Sequence, residues 1–308
     1  MLLNTNRKRS GCLVRSFFGC STLLFFFFLI LVFLVNQLPE IKFTKTEQKE
    51  FNVEYDSLAR ENIIKSSFTW GFVDNELQSR KYTLNFRLLE KDVKAAMLFI
   101  DNLASMKYTD LGLPNTFPNP ETEARVVWAE VYRRIYSSSI PQMKSILQGF
   151  NKIFVDEKLN AKDKVIFVIT FIQNIKYGRP GGMLDLFPPL GTIAYRFGDC
   201  DSKTLLLYTI LEKMGIDCAM LWSFHFKHAM LGINVIGRGD YLTFNGKRYY
   251  FLETTYPNWG IGEIPPEFNN KRFWFIDELD SYSSKQRTSN GNSEIDSRKK
   301  IKPEPAKP

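Results

Sequence analysis

Apolar residues alternate with polar ones at Phe68, Trp70 and Phe72, and again at Tyr82, Leu84, Phe86 and Leu88. A period of two marks a half-buried strand. With the turn-like Val73-Asp74-Asn75-Glu76 between the two runs, the pattern predicts a pair of antiparallel strands opening the folded part of the chain. The period then lengthens. Val93, Ala96, Met97 and Ile100 predict a helix over 90–106, and Ala124, Val127, Val131 and Ile135 a second over 121–137. Met143, Ile146, Leu147, Phe150 and Ile153 predict a third over 142–155, and Val165, Ile169 and Ile172 a fourth over 161–176. The proline-rich segment 109–120 reads as a loop, and so does the stretch from Tyr177-Gly178-Arg179-Pro180 to residue 200. A loop of that length is a natural rim for a cleft. Beyond it, Leu206, Ile210 and Met214 share a helical face that ends at Gly215. Strands follow at 218–224, 228–236, 241–244 and 248–254, the last two joined by the hairpin signal Asn245-Gly246.

The flanks differ from this body. Residues 17–35 are apolar or small and carry no charge, and nineteen residues at helical rise span about 28 Å, close to a bilayer's hydrocarbon core. A membrane helix over 17–36 is expected, since Asn36-Gln37-Leu38-Pro39-Glu40 offers no small-x-small cleavage pattern. The acid-free segment 1–16 carries Arg7, Lys8, Arg9 and Arg15, which leads to the expectation that the N-terminus stays in the cytoplasm and the body is exported. Residues 37–65, mixed in charge, read as a linker with a short helix over 52–64. Residues 284–308 are Ser, Asn, Lys and Pro with few apolar positions and read as a disordered basic tail.

Charge excludes one class of function. Of the net +8, residues 1–16 hold +4 and residues 284–308 another +4, so 17–283 are neutral overall. A nucleic-acid partner is not expected of a body without excess positive charge. With only two histidines, three residues apart, and two cysteines beyond the apolar span, no zinc site, no other metal and no cofactor is expected. Nor do Cys200 and Cys218 form the framework of a disulfide-stapled domain.

The candidate chemistry lies in Gly198-Asp199-Cys200-Asp201-Ser202-Lys203. Asp199 is placed to cap a helix whose first turn holds Cys200. Free N–H groups and the helix dipole there favour a thiolate. His228 opens an apolar strand, whereas His225 lies in a turn beside Lys227. Glu253 ends the strand Tyr249-Tyr250-Phe251-Leu252. Cysteine at a helix start, histidine on one strand and an acid on a later one is the order of a papain-type triad. A simple meander of the last three strands would separate His228 from Glu253. The triad requires the strand ending in Glu253 to pair antiparallel with the histidine strand, with 241–244 on its other edge.

The segments GDCDSKTLLLYTIL, HAMLGINV and YYFLETTYPNWGIGEIP, with FIQNIKY upstream, resemble the transglutaminase-like cysteine-hydrolase superfamily over roughly 66–280. The likeness is greatest to its bacterial, membrane-anchored members, although many superfamily members carry aspartate where this chain has Glu253. The resemblance implies an α+β, papain-like domain over 66–283, with a helical half bearing Cys200 packed on an antiparallel sheet bearing His228 and Glu253. It implies a thiol enzyme acting on amide bonds of a protein or peptide, by hydrolysis or acyl transfer, with Gln173 as an oxyanion donor. The other reading is a binding or scaffold module that kept the fold without turnover. Oligomeric state is left open.

Overall fold

The computed structural model describes residues 47–54, 62–73 and 79–279, all within one compact unit, Thr46–Pro308. The basic N-terminus, the apolar span 17–36 and the tail 284–308 lie outside the described residues. No helix among the described residues is long and apolar enough to cross a membrane.

The architecture is α+β. Strands β1 (Glu47–Glu54), β2 (Ile63–Val73) and β3 (Ser79–Leu89) form a three-stranded sheet in the order β1-β3-β2. The alternating pair β2–β3 is antiparallel as its pattern predicts, from Ile63 opposite Leu89 to Val73 opposite Ser79. Strand β1 corrects the expectation of a linker over 37–65 with a helix at 52–64. It pairs parallel with β3, setting Phe51 opposite Leu84 and Val53 opposite Phe86. Only Phe51 and Val53 are apolar in its sequence, too few to announce a strand without the neighbour they pack on. Residues 55–61 of the expected helix lie outside the described residues.

Helix α1 (Glu90–Ser105) follows as predicted. The second and third predicted helices are one, α2 (Pro120–Asp156), 37 residues long and continuous through Pro141. An interior proline removes one backbone hydrogen bond and crowds the preceding turn. Here, however, the buried face stays in phase across it: Ile135, Tyr136, Ser139, Met143, Ile146 and Phe150 keep three- and four-residue steps. Burial on both sides of the proline, from Val131 to Phe154, outweighs the local break. Helix α3 (Ala161–Asn174) then packs Phe167 and Phe171 against Trp70 and Tyr82 of the first sheet.

The stretch expected to be irregular up to Cys200 holds a two-residue strand pair, β4 (Lys176–Tyr177) with β5 (Phe197–Gly198), and a short helix α4 (Pro189–Tyr195). Proline at the start of α4 and left-handed Arg196 after it define its two ends. Helix α5 (Cys200–Lys213) is buried along nearly all its length and packs on the second sheet.

That sheet has five antiparallel strands: β6 (Cys218–Ser223), β7 (His228–Ile233), β8 (Tyr241–Phe244), β9 (Lys247–Leu252) and β10 (Phe275–Asp277), in the order β10-β6-β7-β9-β8. Asn245 and Gly246, both with positive φ, make the β8–β9 hairpin. Strand β9 lies antiparallel beside β7, with Leu252 opposite Leu231, and β8 flanks its other edge. This is the pairing that brings the end of β9 to the start of β7. Ala229, Leu231 and Ile233 face the helices, whereas Met230 packs with Phe251 and Trp274 on the far face.

Candidate active site

Asp199 caps α5, its Oδ1 accepting from the Ser202 backbone N–H at 2.9 Å and from Ser202 Oγ at 2.6 Å. Ser202 Oγ in turn accepts the Phe187 N–H at 2.8 Å, which fastens the preceding loop to the helix start. A glycine is needed at 198, because a Cβ there would meet Ser202 Cβ at 2.8 Å and Thr192 Cγ2 at 3.2 Å. This close turn places Cys200 in the first turn of α5, buried at 5% exposure.

His228 is the first residue of β7 and Glu253 the first after β9. Strand alternation puts them on the same face, and Nε2 of His228 lies 2.8 Å from Glu253 Oε2. A carboxylate only accepts, so Nε2 carries the ring proton and Nδ1 is left as a base. The imidazole is sandwiched on its far side by Phe268, ring centroids 4.5 Å apart. The other carboxylate oxygen of Glu253, Oε1, accepts from Thr255 N–H at 2.7 Å and Thr255 Oγ1 at 2.5 Å. Cys200 and His228 line one cleft of about 370 Å³. Trp128, Tyr132, Trp222 and Phe224 wall it on one side, and Tyr177, Met183 and Leu184 of the rim loop also line it. On α2, Tyr132 and Tyr136 are both buried in the core, and Tyr132 also lines the cleft together with the partly buried Trp128.

Gln173 is placed differently from the sequence expectation. Its side chain is buried and its Nε2 donates to the carbonyls of Glu253 and Trp259, both at 2.9 Å. Both amide protons are thereby committed, and none is left for an oxyanion. Gln173 instead anchors the loop after β9.

No protein-family model and no curated protein matches the chain. Among solved structures it is similar to a protein from Cytophaga hutchinsonii described provisionally as a cysteine protease, at 11% identity, over 71% of this chain and 76% of that one. The TM-score of that match is 0.24. So low a score leaves the reading to the residues themselves.

The electrostatics around Cys200 reverse a second expectation. Burial pushes its thiol well above the ordinary range, and the neighbouring Asp201 and Asp199 carboxylates push it further. The Ala229 backbone N–H, directed at the sulfur, opposes them without prevailing. A helix start favours a thiolate only where nothing nearer disfavours it, and Asp201 Oδ2 lies 3.5 Å from Sγ. Asp201 is held in that position by the Tyr132 hydroxyl, which donates to its Oδ1. Burial raises Asp201 as well, against the pull of Tyr132, Cys200 and the His228 charge. For Glu253, burial is outweighed by the His228 and Thr255 hydrogen bonds, and its carboxyl is held below the usual range.

Both described cysteines, Cys200 and Cys218, are free and buried. Among the described residues, the ligand atoms of Asp199, Cys200 and Asp201 lie within 4.8 Å of one another, a grouping that histidine and cysteine spacing could not reveal. Asp199 Oδ1 is occupied by Ser202 and Asp201 Oδ1 by Tyr132, so the cluster is satisfied by protein donors at those atoms.

Proposed function

We propose that this chain is a thiol enzyme that cleaves or transfers amide bonds of protein or peptide substrates through a Cys200 thioester, on a papain-like, transglutaminase-like core. The observation that carries the reading is the 2.8 Å contact between His228 and Glu253 at the edge of the cleft that holds Cys200. In this reading His228 Nδ1 takes the thiol proton as Sγ attacks the carbonyl carbon, and the carbonyl π electrons move to oxygen. The resulting imidazolium faces two carboxylates, Glu253 and Asp201, that stabilise its charge. The tetrahedral oxyanion is met by the Cys200 backbone N–H and by the Tyr177 hydroxyl, which replaces Gln173 as the second donor. Tyr177 supports this role by its position in the cleft, with its strand paired to Gly198 two residues before Cys200. Burial, then the negative charge of Cys200, pushes the Tyr177 phenol up to about 12, so it remains a donor throughout. His228 then protonates the leaving amine, and water or a second amine releases the thioester. The apolar sequence 17–36 and the basic residues before it support a single membrane anchor with the catalytic domain outside the cytoplasm.

The test is labelling of native protein with a thiol-directed acyl probe and mapping of the modified residue. Cys200 is expected to carry it, Cys200→Ala to lose it together with all amide turnover, and Tyr177→Phe to keep the label while kcat falls about 100-fold. An unlabelled Cys200 in folded protein would return the reading to a binding module.

A further inference from the structure

Lys203 lies one helical turn beyond Cys200 and is fully buried. Its stem crosses the core and its Nζ meets three backbone carbonyls: Ile175 at 2.7 Å, Thr255 at 3.0 Å and Gln173 at 3.2 Å. An ammonium has three donors and no acceptor, so the count matches. Two of the carbonyls belong to the C-terminal end of α3, where the helix dipole is negative. The third belongs to Thr255, the residue whose N–H and hydroxyl hold Glu253 Oε1. Beside it, Thr204 Oγ1 lies 3.0 Å from Thr254 Oγ1. A continuous path therefore leads from the helix bearing Cys200, through Lys203 and the Thr255 peptide, to the Glu253 carboxylate and on to His228.

We infer that Lys203 is a positioning residue, a buried cation that fixes the Glu253 loop against the nucleophile's helix and so sets the orientation of His228. The inference rests on the roles proposed above for Cys200, His228 and Glu253. A side chain without a donor at 203 removes a hydrogen bond from each of three carbonyls, and of these the Thr255 carbonyl is the one whose displacement moves the acid. If Thr255 shifts, Oε1 loses its two donors, the carboxylate turns, and the contact of Oε2 with the imidazole is lost. Gln173 supports the same loop from the other side through its bonds to Glu253 and Trp259 carbonyls. Because Nζ touches neither Sγ nor the cleft, the thiol itself does not depend on it. Burial lowers the amine to about 7, against the opposing charge of Glu253, so the ammonium form is tested below that pH.

The experiment reads the His228 Nε2 proton, which a hydrogen bond to a carboxylate moves far downfield in the proton NMR spectrum. In Lys203→Met this resonance should disappear and kcat on a peptide amide fall about 100-fold with KM within about twofold, as for a misplaced catalytic group. Alkylation of Cys200 by iodoacetamide should persist in the same protein. Lys203→Arg keeps the charge but sets a planar fork where three carbonyls converge; a shifted resonance and about a tenfold loss are expected. A folded Lys203→Met that keeps both the resonance and the rate overturns the inference. Should that variant fail to fold, an Lys203→Arg protein with unchanged resonance and rate does so equally, and failure of both to fold assigns Lys203 to stability alone. If no amide turnover is found even in the unaltered protein, the resonance still decides whether Lys203 orients His228.

Discussion

At the scale of single residues, the thiol is the most informative. Cysteine catalysts are generally activated by a lowered pKa, and the helix start of α5 supplies part of that. Burial and two flanking acids reverse it, so Cys200 rests as a thiol, and in the proposed mechanism its proton leaves only when a substrate carbonyl and His228 are both in place. Alkylation by a small reagent should therefore be slow at neutral pH and rise only above about 8.5, the ordinary thiol value. Asp201→Asn removes one negative charge at 3.5 Å from the sulfur and should shift the alkylation profile to lower pH while slowing turnover, since the imidazolium loses a counter-charge. A profile that Asp201→Asn leaves in place would show that Asp201 does not govern the thiol. The sequence makes Cys200, its Asp199 cap, His228 and Glu253 legible because each rests on a local signal. It does not reveal that Asp201 faces the sulfur, because Tyr132, 69 residues away, holds that carboxylate. Nor does it reveal that Gln173 is occupied, because its partners are carbonyls 80 and 86 residues on.

Among elements, those with their own period or turn chemistry are legible: β2 and β3 by alternation, α1 and α3 by helical spacing, β8 and β9 by Asn245-Gly246. The elements that escape are defined by what they touch. Strand β10 has three residues and exists by pairing with β6, and β1 exists by pairing with β3. Its seat is tight. A Cβ at Gly149 of α2 would lie 2.5 Å from Val53 Cγ1 and 2.9 Å from its Cγ2. Val53 is β-branched and stiff, so it yields by moving the strand and not by rotating. Gly149→Ala gains roughly 1 kcal/mol of helix propensity but incurs overpacking of about 1–3 kcal/mol. The expected result is a net loss of up to about 2 kcal/mol in urea unfolding, with faster amide exchange along β1. A stabilised variant would show that β1 is held loosely.

For the whole molecule, acid stability follows from the site. Glu253 has a folded pKa held below its unfolded value. Its contribution to stability is therefore fully present above the unfolded value, about 4.3, and is lost as pH falls through the folded value. Unfolding midpoints of the unaltered protein and of Glu253→Gln should differ by a constant amount above about pH 5 and converge in stronger acid. A difference that persists unchanged to pH 2 would assign the effect of Glu253→Gln to packing and not to charge; pH 2 is about two units below the unfolded value.

The clamp at Lys203 also bears on how the molecule is made. The groups it joins come from α3, from α5 and from the loop after β9, and the imidazole from β7. These groups are spread over residues 173–255, so a chain synthesised only part-way through that stretch, or partly unravelled within it, holds a buried-to-be thiol without an oriented base. In the proposed reading, reactivity is thereby tied to closure of the fold across residues 173–255.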